Sequence, residues 1–160
     1  MRKPLVMAAV AALIAVASCG GGGGAGGPGD PLVSGSLTGE YKNQAFVPAF
    51  GFATIYQGSN LIGLGDGPLN CASPQRSDPP SGTNGLFTMT ALDVGSYGQV
   101  FVQILQNKGN FEGIGSNTGS VTITAVSATS VAGTIAYSYT DAASLNYGLS
   151  GSFEVARCPM

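Results

Sequence analysis

The sequence contains no histidine and no tryptophan, and only 9% of its residues are charged. Without histidine, the chain cannot build a Ser-His-Asp or Cys-His catalytic mechanism or the common zinc sites. The lack of tryptophan removes the best residue for stacking on sugars. The few basic residues form no stripe, which disfavours binding of nucleic acid.

The acidic residues are scattered singly through the chain. Paired carboxylates could still act on glycosides, so a hydrolase remains an alternative. Asp66, within Gly63–Gly67, resembles one fragment of a Gly/Asp calcium turn, but it is unrepeated and lacks neighbouring acids, so a plain turn is favoured. The sequence therefore predicts no catalytic residue, no metal site and no cofactor, and a protein that is not an enzyme.

The N-terminal segment has three parts typical of an export signal. Arg2 and Lys3 precede an unbroken apolar run, Leu5–Val16, which is too short to span a bilayer. Val16-Ala17-Ser18-Cys19 then resembles the lipobox of bacterial lipoproteins. The resemblance implies a signal peptide over 1–18, lipidation of Cys19 and attachment to a membrane through that residue. The alternative is an ordinary signal peptide cut after Ser18, with Cys19 a plain thiol.

Glycine occupies eight of the ten positions 20–29. Such a segment has almost no side chain to bury, which predicts a flexible tether over 19–30 with a mean span of about 17 Å and a full reach of about 35 Å. In the lipoproteins that the lipobox resembles, an Asp after the cysteine favours the inner membrane. Gly20 at that position therefore implies a location in the cell envelope at the outer membrane. Without Arg2 and Lys3, the net charge of −2 becomes −4.

The remaining residues, 31–160, are predicted to form a single all-β domain. Apolar residues alternate with polar ones over 121–126, 131–140 and 149–156, and no window shows a helical stripe. Turn signals separate the strands, and such short links require antiparallel pairing. We therefore expect an antiparallel β-sandwich or small β-barrel of about 8–10 strands. The turn signals used are Asn43, Gly58–Asn60, Gly65–Gly67, Gly95–Ser96, Asn107–Asn110, Ser116–Gly119 and Asp141–Ser144.

Three predicted strands share one pattern, in which a glycine stands between small and apolar residues. Gly35, Gly133 and Gly151 each fall on the inward face, where a glycine allows curvature or room for a neighbouring ring; a ligand notch is the alternative. The segment from Gly119 to Cys158 is similar to small uncharacterised β-domains of bacterial lipoproteins. This resemblance implies fold and location only.

Cys71 and Cys158 are the cysteines of the predicted domain. In an exported chain an even pair predicts a disulfide. The segment 72–84 contains three prolines and is predicted to form neither helix nor strand. It is either a binding loop or a plain surface excursion, and the second is favoured.

Aromatic residues cluster in the first part of the domain. Phe46, Phe50, Phe52 and Tyr56 share one parity, with Pro48 splitting the segment into two pieces. This pattern predicts a strand that packs its rings into the core. It also fits a barrel lined for an apolar ligand.

These observations favour a lipid-anchored envelope protein with a non-catalytic structural or binding domain, whose protein or small-molecule partner is unknown. A small barrel that carries an apolar ligand is the first alternative, and an envelope hydrolase is the second. Interior volume separates the first two, because a carrier needs a pocket of at least about 300 Å³.

Overall fold

The computed structural model describes residues 34–67, 69, 71, 82–107 and 111–159, which form strands and no helix. The predicted signal peptide, Cys19 and the glycine tether lie outside these residues. No helix in the described part is long and apolar enough to cross a membrane. The described strands are β1 (Ser34–Tyr41), β2 (Gln44–Phe46), β3 (Phe50–Tyr56), β4 (Ser59–Gly65), β5 (Gly82–Met89), β6 (Gly95–Asn107), β7 (Phe111–Val126), β8 (Ser130–Thr140) and β9 (Asn146–Arg157).

Seven of these strands close into a barrel. Each strand from β3 to β8 pairs antiparallel with the strand that follows it in the chain, so the succession ends at β9. The ring closes where Phe52–Ala53 of β3 lies parallel to Ala156–Arg157 of β9. The prediction of a mostly antiparallel all-β fold is confirmed, and of the two architectures expected, the structure is the barrel.

Strand β1 pairs with the same edge of β9 as β3 does, but with an earlier part of β9. It pairs with β9 from Ser34 opposite Glu154 to Tyr41 opposite Tyr147. A tight turn at Lys42 and Asn43, both with positive φ, then folds β2 back onto β1. Asn and other short polar residues tolerate this conformation, which explains the turn signal at Asn43.

The barrel interior is filled by apolar side chains from all of these strands. Ile62, Phe87, Ile104 and Val131 belong to one contiguous cluster and have no solvent-accessible surface. A cavity that could hold even one water would leave accessible surface on the side chains around it. These core side chains therefore line no cavity of the size that a carried ligand needs.

Two of the patterned glycines stand on either side of one buried ring. Gly35 of β1 and Gly133 of β8 are both opposite Phe153 in register. A Cβ at Gly133 would meet the carbonyl oxygen of Thr122 on the next strand, so only glycine allows these backbones to approach so closely. The arrangement agrees with the expected room for a neighbouring ring.

Three local predictions were wrong. The turn expected at Gly95–Ser96 lies inside β6, because the real connection is 90–94, where Leu92 inserts into the core. The turn expected at Ser116–Gly119 lies inside β7. The segment 72–84 was expected to contain no strand, yet β5 begins at Gly82, because Asp66 extends the pairing of β4 with β5. The rest of that segment lies outside the described residues.

The predicted aromatic face is divided between two sides of the barrel wall. Phe46 lies in the interior, but Phe50 and Phe52 lie outside it, in a second cluster with Leu69 and Leu86. The connection 47–49, with a proline that cannot donate to the ladder, shifts the alternation between the two strands. The rings of β3 therefore line no interior site.

Candidate binding site

The disulfide predicted between Cys71 and Cys158 is present, with Cα atoms 5.1 Å apart. It joins the outer cluster, where Cys158 is buried against Phe52 and Leu69. The bond thus fastens the residue that follows β9 and the segment after β4 to the outer wall of the barrel. No other chemistry is indicated for these cysteines.

Asp66 acts on the backbone of the neighbouring strand. Its Oδ1 accepts a hydrogen bond from the Thr83 N–H at 2.6 Å, and its own N–H donates to the Thr83 carbonyl at 3.1 Å. Across the described ranges, no group of three or more acidic or cysteine side chains is placed to hold a metal ion. The geometry at Asp66 is that of a strand end.

Among the described residues, two of the open clefts are of comparable size and lie on the outer wall. The first, which we call the Gly148 cleft, has a volume of about 420 Å³ and crosses β2, β1, β9 and β8. Gly148 stands in register between Glu40 and Ser138, and a Cβ there would make only ordinary contact, 3.4 Å from the Tyr137 carbonyl. The Gly148 cleft is therefore a surface depression in a regular strand ladder, formed because glycine has no side chain at this position.

The second cleft, which we call the Phe101 cleft, has a volume of about 470 Å³ and crosses β5, β6 and β7. Its volume falls in the range of small-molecule sites, roughly 300–1,000 Å³. Its lining residues include Thr88, Thr90, Gln99, Phe101 and Asn117, together with Tyr97, whose ring packs against the interior cluster.

The strands beneath the Phe101 cleft are irregular on both sides. Between Tyr97 and Val100, β6 has one residue more than β7, and between Val100 and Val102, β7 has one residue more than β6. Each shift is a β-bulge, and the two offset one another, so the ladder continues in register beyond them. Gln99 has a φ of 55°, an uncommon conformation for a residue other than glycine. Bulges re-aim side chains and are over-represented beside functional sites.

Phe101 is a large apolar side chain that points outward and is 38% exposed. Gly115, on the next strand, lies beneath its ring: a Cβ there would be 3.0 Å from Cζ and 3.3 Å from Cε2. The missing side chain lets the ring lie against the backbone of β7. The result is an aromatic side chain that contacts β7 through Cζ and Cε2 and keeps 38% of its surface exposed.

The lining of the Phe101 cleft offers amides and hydroxyls and carries no carboxylate, ammonium or guanidinium group. Gln99 and Asn117 supply amides that both donate and accept hydrogen bonds, and Thr88 and Thr90 supply hydroxyls. Tyr97 also belongs to the lining, and its hydroxyl donates to the Asp93 carbonyl at 2.8 Å, which fixes the ring in place. The arrangement can bind a neutral group that has both an apolar face and hydrogen-bonding groups.

A hydrogen-bonded turn connects β8 to β9. Asp141 accepts hydrogen bonds from the Leu145 and Ala143 N–H groups, both at 2.9 Å, and from the Tyr147 hydroxyl at 3.0 Å. These bonds, that from Leu145 first, hold the pKa of Asp141 below its usual value. Burial, followed by the hydrogen bond to Asp141, raises the pKa of Tyr147. Burial also raises the pKa of Tyr137. Asp141 and Tyr147 stabilise the turn, and all three groups lie outside the Phe101 cleft.

Comparison with protein-family models, with curated proteins and with solved structures finds no significant match to this chain.

The sequence predicts the Cys71–Cys158 disulfide correctly but does not predict the Phe101 cleft. The polar stretch Ser116–Gly119, which contributes Asn117 to the cleft, has the composition of a turn. Phe101 stands between the apolar residues Val100 and Val102, so nothing in its immediate surroundings marks it as exposed. The cleft depends on two bulges that face one another across neighbouring strands. A bulge is defined by the pairing of two strands, so one strand alone shows only a change in the parity of its apolar residues.

Proposed function

We propose that this protein is a non-catalytic binding domain, held at the cell envelope by a lipid on Cys19, and that the Phe101 cleft is its contact surface. The observation that carries the proposal is the pair of offsetting bulges beneath an exposed ring. A second residue of the cleft, Gln99, has a strained backbone. Departures from local regularity are expected where function requires them.

The same reasoning disfavours the alternative of a barrel that carries an apolar ligand inside. The core side chains have almost no accessible surface, and the rings of Phe50 and Phe52 lie outside the barrel. A ligand of about 300 Å³ would need several of these core side chains to be removed. A binding role therefore belongs to the outer wall.

The lipid anchor has a direct test. Cys19→Ala removes the sulfur to which the lipid would be attached, so the variant should pass from the membrane fraction to the soluble fraction. It should also fail to incorporate radiolabelled fatty acid. The Gly20→Ala variant is the matched control, because it changes the neighbouring residue and keeps both Cys19 and the Cys71–Cys158 disulfide. Labelling of Cys19→Ala would overturn the proposal.

The contact surface is tested by photo-cross-linking in intact cells. Asn117, in the cleft, is replaced by p-benzoylphenylalanine, and a control carries the same probe at Thr134, an exposed position outside both clefts. We expect a discrete adduct from position 117 and none from 134. Excess wild-type protein should suppress the adduct, and excess Phe101→Ala protein should not. Equal labelling at both positions would refute a specific site.

A further inference from the structure

Charge is the first clue to what the Phe101 cleft binds. Its lining contains amides, hydroxyls and one open ring, and it contains no carboxylate or cationic group. An ionised ligand would lose its hydration there without gaining a counter-charge. The occupant is therefore uncharged at the point of contact.

The ring gives the second clue. The Phe101 side chain points outward and is 38% exposed, and the face of an aromatic ring carries partial negative charge. The C–H groups on one face of a pyranose ring carry partial positive charge and form a flat apolar surface. The hydroxyls around that ring can bond to amides at the rim, such as Gln99 and Asn117. One ligand class thus matches both kinds of group in the cleft.

The strand pairing argues against an extended peptide as the occupant. Peptides that add to a sheet need a free strand edge, where backbone groups supply most of the affinity. Strand β5 is paired with β4 and β6, and β6 is paired with β5 and β7, so no edge is available in this part of the wall. Recognition here depends on side chains and on the few positions that the bulges leave out of the ladder.

We infer that the Phe101 cleft binds a neutral glycan, with a pyranose ring stacked on Phe101 and its hydroxyls bonded to Gln99 and Asn117. The inference rests on the proposed binding role of the same cleft. The inference names the class of ligand that the cleft binds. Binding breaks no covalent bond and needs no cofactor.

The test uses the lipidated protein in lipid nanodiscs, because maltoside detergents would themselves present sugars. Cellohexaose, maltohexaose and chitohexaose are the neutral probes, and hexagalacturonate is the charged comparator. Saturation-transfer NMR suits weak binding to a large assembly and reports which sugar protons face the protein. We expect at least one neutral hexaose to bind, with saturation concentrated on the C–H protons of one ring face.

Variants of Phe101 separate stacking from simple apolar contact. Phe101→Tyr keeps the aromatic face and should retain binding. Phe101→Leu keeps apolar bulk but loses the ring, and should weaken binding by about tenfold, which corresponds to about 1.4 kcal/mol. Val47→Ala is the control, since Val47 is 67% exposed and lies outside the cleft. Equal affinity of the Leu and Tyr variants would overturn the inference.

The two proposals fail separately. If no neutral hexaose binds, or only hexagalacturonate does, the glycan inference is wrong. The binding role of the cleft would survive that result if position 117 still gave a competed cross-link, for example to a protein. If position 117 gives no specific cross-link and no hexaose binds, both proposals are refuted.

Discussion

Loss of the Cys71–Cys158 disulfide should remove much of the stability of the domain. The two cysteines are 87 residues apart, and closing a loop of that length in the unfolded chain corresponds to about 4.6 kcal/mol at 25 °C on the chain-entropy model. Domains of this size have total stabilities of about 5–15 kcal/mol. The Cys71→Ala, Cys158→Ala double variant should therefore be folded only marginally or lose its fold.

Urea unfolding, followed by circular dichroism, measures this loss. With a slope of about 1.5 kcal/mol per molar urea, the midpoint should fall by about 3 M. The slope should also rise, because an unfolded chain without the cross-link exposes more surface. Reduced wild-type protein is the control: it keeps both sulfur atoms, so agreement with the double variant assigns the effect to the cross-link. A midpoint shift below about 0.7 M, near 1 kcal/mol, would refute the reasoning.

Two further predictions concern local geometry. Gly133→Ala forces a Cβ against the Thr122 carbonyl and should destabilise the fold by about 2 kcal/mol in thermal melts, whereas Gly148→Ala, whose Cβ has room, should be nearly neutral. Asp141 has a lowered pKa in the folded state, so its stabilising effect is present above its ordinary pKa and is lost as the pH falls through the folded value. Asp141→Asn should therefore lose stability at pH 7 and show a flatter acid limb between pH 5 and 2 than the wild type; an unchanged limb would contradict this.

Much of the fold is predictable because alternation of apolar residues is a local signal. Val131, Ile135 and Leu149 occupy the interior as their period-two spacing indicates. The choice of barrel over sandwich was not predictable, since closure depends on a contact of two residues between β3 and β9. The position of Phe52 outside the barrel was not predictable either. The connection 47–49 shifts the alternation of inward and outward side chains by one residue, and that shift appears only when β3 is paired.

The bulges beneath the Phe101 cleft nevertheless correspond to a change in the alternation of the sequence. Along β7 the residues that face the interior change from even to odd positions, from Ile114 and Ser116 to Gly119 and Val121. Along β6 they change from Tyr97 to Val100 and Val102. A turn would end the alternation and begin a new strand running back, whereas a bulge keeps the strand and only shifts its parity. A polar stretch flanked by alternation of opposite parity is thus better interpreted as a bulge than as a turn. Two such shifts, one in each of two consecutive strands, place the irregularities of β6 and β7 side by side beneath the Phe101 cleft.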